Sequence, residues 1–118
     1  MLHLSGTTRY YWYNGVADMR KGFDGLSGLV SQYMGASVPD GGVFIFVNRR
    51  RNQIKLLTWE GDGMAIYHKR LEKGVYELPR ISAGDVCTAE IDVLQLQLIL
   101  QGIVLQSVRK KRRFLPLL

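Results

Sequence analysis

The chain predicts an α+β fold: an antiparallel β-meander of about four to five strands, packed with an amphipathic helix from its N-terminal half and a second helix near its C-terminus. Three observations carry this prediction. Apolar runs of strand length between 43 and 70 are separated by short turns rich in Asn, Gly and Asp. Apolar side chains between Phe23 and Met34 recur at spacings of three and four. Finally, 118 residues of which 47% are apolar suffice for one core and no more. One α+β domain is expected over 1–108, followed by a flexible basic and apolar tail at 109–118.

Each element has a local cause. Thr8 to Tyr13 is rich in β-formers and ends at Asn14-Gly15, a turn signal, so a strand is expected. Asp18 then offers a cap for a helix carrying Phe23, Leu26, Leu29, Val30, Tyr33 and Met34 on one face and stopping at Gly35. Gly22, Gly25 and Gly28 inside it each cost about 1 kcal/mol relative to alanine. Their spacing of three reads either as a smooth stripe for another backbone or as a weak helix. Beyond the breakers Pro39-Asp40-Gly41-Gly42 come a hairpin (Val43 to Val47, then Gln53 to Trp59), a turn at Glu60-Gly61-Asp62-Gly63 and a strand from Met64 to Arg70. Both faces of the central strands are partly apolar, so the sheet is expected to bury both. Val75 to Leu78 reads as a further short extended piece closed by Pro79. Asp92 can cap a helix from Val93 to Gln101, with Leu96, Ile99, Leu100 and Ile103 on one face and Gly102 at its end. Leu94, Leu96 and Leu98 also fit a strand period.

Charge is concentrated in two places. The formal net charge is +6, but Arg109, Lys110, Lys111, Arg112 and Arg113 hold five of the sixteen basic groups, leaving eleven against ten acids in the body, or +1. Within the body, Arg49, Arg50 and Arg51 occupy the first hairpin's turn. A meander brings Lys69 and Arg70 to the same end, with Lys55 two residues into the second strand. Guanidinium groups fork onto phosphate oxygens, so these positions and the tail are the candidate nucleic-acid contacts, with DNA as the expected partner. The competing reading is a solvated turn that guards a sheet edge.

Other chemistry is poorly supplied. Cys87 has no second cysteine for a disulfide, and with only His3 and His68 there is no zinc spacing; Cys87 reads as a small core residue. Asp18, Asp24, Glu60 and Asp62 are the acids that a metal-dependent nuclease would use, but each fits a cap, a helix surface or a Gly-rich turn. Neither a nucleophile-and-base pair nor a phosphate-cradling loop is visible. The expectation is no catalytic residue, no metal, no cofactor and no small-molecule substrate. Apolar stretches fall short of the roughly 20 residues that span a bilayer, and the start lacks signal-peptide character, so a cytoplasmic protein without membrane contact is expected.

Two stretches resemble a known family. Asp18-Met19-Arg20-Lys21-Gly22-Phe23-Asp24-Gly25-Leu26, and the run from Val43 through Trp59-Glu60-Gly61-Asp62-Gly63 and Tyr67-His68-Lys69-Arg70-Leu71-Glu72-Lys73-Gly74 to Pro79, are similar to the TnpB-type accessory protein of the IS sixty-six class of bacterial insertion sequences, encoded by the second open reading frame. The terminal Leu100-Gln101-Gly102-Ile103 also resembles the family's ending. The resemblance implies a non-catalytic helper of DNA transposition beside a separate, larger transposase that carries the catalytic carboxylates. It makes Asp18, Arg20, Lys21, Phe23, Asp24, Arg49, Arg50, Lys55, Trp59, Gly61, Lys69, Arg70, Leu71 and Gly74 candidate positions, and the cognate transposase an expected partner. The family often has Asp at 60 and an aromatic at 64, where this chain has Glu60 and Met64, which weakens a metal role for position 60. The basic tail lies outside the shared motifs. A second reading is a pure adaptor that docks on the transposase through Phe44, Phe46, Trp59 and Tyr67.

Overall fold

The computed structural model describes residues 4–79 and 87–101. In chain order the elements are β1 (Tyr10–Tyr13), α1 (Phe23–Tyr33), a 3-10 turn (Val38–Asp40), β2 (Val43–Val47), β3 (Gln53–Trp59), β4 (Met64–Arg70), β5 (Thr88–Ile91) and α2 (Val93–Gln101). The five strands form one sheet in the order β4-β3-β2-β1-β5. β2, β3 and β4 make the expected meander, with Val47 opposite Ile54 and Gln53 opposite Arg70. β1, however, lies parallel to β2, with Tyr10 opposite Val43, so the sheet is mixed rather than purely antiparallel. The reason is the connection: α1 carries the chain back along the sheet, and a helical crossover delivers the next strand in the same direction.

Among the described residues, each face of the sheet is covered by one helix. Tyr10, Trp12, Val43, Ile45, Val47, Ile54, Leu56 and Ile91 pack with Leu96 and Ile99 of α2 and with Tyr76. On the other face Phe44, Phe46 and Leu57 pack with Leu26 and Val30 of α1 and with Ala17, Met34 and Val38. All five residues of β2 are buried, which explains why that strand reads VFIFV without alternation. Where β1 enters the sheet, Gly42 (φ +96°) brings its backbone so close to Tyr11 that an added Cβ would lie 2.7 Å from the ring, so only glycine fits.

Several expectations need correction. Asp18 does not cap α1; the helix begins at Phe23 with Gly22 as its N-cap, so Gly22 lies outside the helical interior. An added Cβ at Gly22 or Gly28 would meet nothing within 4 Å, and one at Gly25 only the Lys21 side chain, so no backbone packs on this stripe among the described residues. Phe23 and Tyr33, placed on the buried face by periodicity, sit at the two ends of α1 and are 48% and 53% exposed. Val75 to Leu78 is not a strand; Tyr76 leaves the surface there to fill the core at 0% exposure. The fifth strand is β5, set against β1 and tied to it by the ion pair of Arg9 with Glu90 at 2.9 Å. Cys87 is exposed rather than in the core.

Other expectations hold. Asp92 caps α2 in a reciprocal box: its Oδ1 accepts the Gln95 backbone N–H at 2.8 Å while Gln95 Oε1 accepts that of Asp92 at 3.1 Å. Gly35 adopts φ +65° just past α1, and the Ala36 N–H returns to the Val30 carbonyl, closing the helix end. Gly102, Ile103 and the tail from Arg109 to Leu118 lie outside the described residues. Among the described residues no helix is long and apolar enough to cross a membrane.

Candidate nucleic-acid interface

The arginine turn is held by its flanking asparagines, not by its arginines. The Arg51 N–H donates to the Asn48 carbonyl at 3.0 Å. Asn48 Oδ1 accepts the backbone N–H of Asn52 and of Gln53, each at 3.0 Å, and Asn48 Nδ2 donates to Asn52 Oδ1 at 2.8 Å. The guanidinium groups of Arg49, Arg50 and Arg51 are thereby released from any structural duty and are exposed. Among the described residues none of the three, nor Arg70, pairs with a carboxylate. Arg51 has φ +61°, a left-handed conformation that costs a non-glycine residue about 1–2 kcal/mol. The following loop supports it from below: Tyr76 N–H donates to the Arg51 carbonyl at 2.6 Å and Leu71 N–H to the Asn52 carbonyl at 2.8 Å.

Arg70 stands beside this turn because β4 pairs with β3 in the register that sets it opposite Gln53. His68, on the same side of β4, hydrogen-bonds through Nε2 to Gln53 Oε1 at 2.8 Å. Burial, then the charges of Lys55 and Arg70, lower its pKa below the usual histidine value.

Two of the sequence-predicted contacts point inward. Lys55 is 8% exposed and donates from Nζ to the carbonyls of Met19 and Lys21, both at 2.9 Å. Lys69 is half-buried and donates from Nζ to the Leu100 carbonyl at 2.9 Å, a cation placed at the C-terminal end of α2, where the helix dipole favours it. Neither ammonium is presented to a surface ligand. Lys55 alternates with apolar Ile54 and Leu56 in a strand covered on both faces, so inward placement is as compatible with the pattern as outward, while Lys69 stands between His68 and Arg70 and turns inward because α2 ends over it.

Lys55 also joins the two family-like stretches in space. By holding the Met19 and Lys21 carbonyls, and with Ala17 N–H bonded to the Val47 carbonyl at 3.0 Å, it fixes the loop after β1 against the turn end of the hairpin. An open groove results. Val16, Ala17, Asp18, Met19 and Arg20 line one wall, and Asn48, Arg49, Arg50 and Gln53 the other. Asp18 grips Arg20 in this groove: Nη2 donates at 2.7 Å and Nε at 3.1 Å, and the Arg20 backbone N–H adds a bond at 2.9 Å. The guanidinium holds the Asp18 carboxyl down at about 2. Charge reasoning along the chain misses Arg20 as a neighbour of the turn, since nothing local relates positions 20 and 50.

The remaining motif positions serve elsewhere. Gly61 (φ +96°) shapes the β3–β4 turn and Gly74 (φ +80°) the loop leading to Tyr76. Leu71 packs on the core of the α2 face and Trp59 on that of the α1 face, each partly buried. Phe23 and Asp24 open α1 and are exposed. The four acids considered for a metal divide between the sheet's two ends, Asp18 and Asp24 at the arginine end, Glu60 and Asp62 at the other. Among the described residues no three His, Cys, Asp or Glu side chains are grouped to hold a metal ion. The apolar patch expected for an adaptor does not form, because Phe44 (1% exposed) and Phe46 (0%) lie beneath α1.

Fold and site together define a small α+β protein with a basic groove at one end of its sheet. The chain belongs to the IS66 Orf2-like family, whose model, described as "IS66 Orf2 like protein", matches residues 8–110. It is thus an accessory protein associated with insertion sequences and their transposition. It is similar to the uncharacterized protein y4hO of Sinorhizobium fredii, 30% identical over 103 residues that cover 87% of each chain. It is also similar to y4jC of the same organism, 28% identical over 94 residues, covering 80% of this chain and 78% of the relative. No solved structure matches the chain.

Proposed function

We propose that this protein is a non-catalytic helper of transposition that grips the phosphate backbone of DNA through the basic end of its sheet and acts beside the separate transposase. The contact residues are Arg49, Arg50, Arg51 and Arg70, with Arg20 across the groove. The observation that carries this reading is the arginine turn itself: a rigid scaffold of asparagine hydrogen bonds that leaves three adjacent guanidinium groups exposed and without carboxylate partners among the described residues. A turn needed only to join two strands has no use for such an array, whereas phosphate recognition does. Arg109, Lys110, Lys111, Arg112 and Arg113 add a second basic run in the sequence, suited to counterion release on the same polyanion.

The test is a titration of a DNA duplex at several salt concentrations, with the wild-type chain and with Arg49, Arg50 and Arg51 replaced by alanine. The slope of log affinity against log salt is expected to fall by about 0.9 for each phosphate interaction removed. An unchanged slope in the triple variant would refute the DNA contact. Retention of the purified transposase by a nuclease-treated sample that binds no DNA would favour an adaptor role instead.

A further inference from the structure

We infer that the groove between the loop after β1 and the arginine turn seats a backbone phosphate, and that Asp18 is a positioning residue that aims Arg20 at it. This rests on the DNA-binding reading above.

Charge alone argues the opposite. Asp18 is the one acid among the residues that line the groove, and a carboxylate there repels an anion. The geometry outweighs that objection. The Asp18 carboxylate is tied to its own turn, since Oδ1 accepts the Arg20 backbone N–H at 2.9 Å and the Lys21 N–H returns to the Asp18 carbonyl at 3.0 Å. Lys55 pins that turn through the carbonyls of Met19 and Lys21. Asp18 is therefore a fixed post, and the Arg20 side chain, 91% exposed, leans on it.

The mode of pairing leaves donors free. Asp18 engages Nε and Nη2, so the Nη1 group and the second Nη2 hydrogen of Arg20 have no partner among the described residues. That is the edge a guanidinium uses to fork onto two phosphate oxygens. Arg49 and Arg50 line the same groove from the arginine turn, so a phosphate seated there has three arginines in its lining. An arginine already held in place does not have to be ordered when the ligand arrives, and this saving offsets the repulsion from Asp18, much of which the ion pair already neutralises.

Fluorescence anisotropy with a short DNA duplex, using the full chain at about 0.1 M salt, tests the inference. Arg20→Ala is expected to weaken binding about eightfold, the worth of one phosphate interaction at that salt. Asp18→Ala is expected to weaken it as well, by roughly threefold or more, although it removes a negative charge. In an Arg20→Ala background the same Asp18→Ala change is expected to strengthen binding slightly, because only the repulsion is then removed. Thermal melting confirms folding, and Asp18→Asn, which keeps the acceptor for the Arg20 backbone N–H, replaces Asp18→Ala if the alanine variant unfolds. Binding that is unchanged or tighter in the Asp18 single variant overturns the inference, as does an Asp18 effect that persists without Arg20. Absence of salt-dependent binding by the wild-type chain instead removes the DNA reading itself.

Discussion

The two turns of the β2–β3–β4 meander are built to different ends. Both join adjacent strands over a few residues, and both need one residue with positive φ. At the β3–β4 turn that residue is Gly61, the flanking charges are Glu60 and Asp62, and the Glu60 N–H closes the turn on the Gly63 carbonyl at 2.8 Å. At the β2–β3 turn the same role falls to Arg51, within three consecutive arginines, and the turn is held by Asn48, Asn52 and the loop of Leu71 and Tyr76. The first turn takes the easy backbone solution. The second accepts conformational strain, carries a supporting framework of side chains and presents three cations. A costly backbone conformation at a place where glycine would serve directs attention to the side chain.

That contrast yields predictions of decreasing size. The largest concerns binding: alanine at Arg49, Arg50 and Arg51 together should lower DNA affinity several hundredfold at about 0.1 M salt and the salt slope by about 2.7. Alanine at Glu60 and Asp62 should leave that slope unchanged. Equal effects at the two turns, read by the same titration, would erase the contrast.

Next comes the support of the basic end. Lys55→Ala should destabilise the fold by about 2–4 kcal/mol, since it strips the Met19 and Lys21 carbonyls of their donor and leaves space in the core. Exposed Lys73→Ala should change stability by less than about 0.5 kcal/mol. Urea unfolding measures both, and a Lys55 effect as small as that of Lys73 would return Lys55 to the surface set.

The positive-φ residues should respond in opposite directions. Arg51→Gly should stabilise by up to about 1 kcal/mol while weakening DNA binding, and Gly61→Ala should destabilise by about 1 kcal/mol with binding untouched. Unfolding and binding curves on the two variants decide it.

The smallest effect is on acid stability. Arg20 lowers the Asp18 carboxyl from its ordinary 3.8 to about 2, so the pair favours the folded state above that ordinary value and the contribution fades as pH falls toward 2. An NMR titration should find the Asp18 midpoint near 2, moving up toward the ordinary value in Arg20→Ala.

Much of this architecture is legible without coordinates. The hairpin strands and their turns, the Asp92 cap of α2 and the stop at Gly35 depend on near neighbours in the chain, and local patterning reports such interactions directly. The arginine turn is equally legible as a charge anomaly once the tail is set aside. Inferences about direction are the ones that fail. Asp18 resembles a helix cap because an acid precedes an apolar repeat, yet its carboxylate is taken by Arg20 two residues on. Lys55 and Lys69 resemble surface cations because lysine usually is one. β5 gives no signal, since a four-residue edge strand stabilised by Arg9 and Glu90 depends on a partner some eighty positions away.

The order of amino acids alone is enough for the meander, both helices, the segregation of charge and the family. Which cations face outward, the parallel run of β1 beside β2, and the placement of Asp18 to Arg20 across a groove from the arginine turn emerge only when the chain is folded. The physical reason is range. Turn chemistry and helix capping act over a few residues, whereas the facing of a strand residue is set by what covers the sheet. Here α1 covers one side and α2 the other, so alternation along β3 and β4 does not say which side is wet.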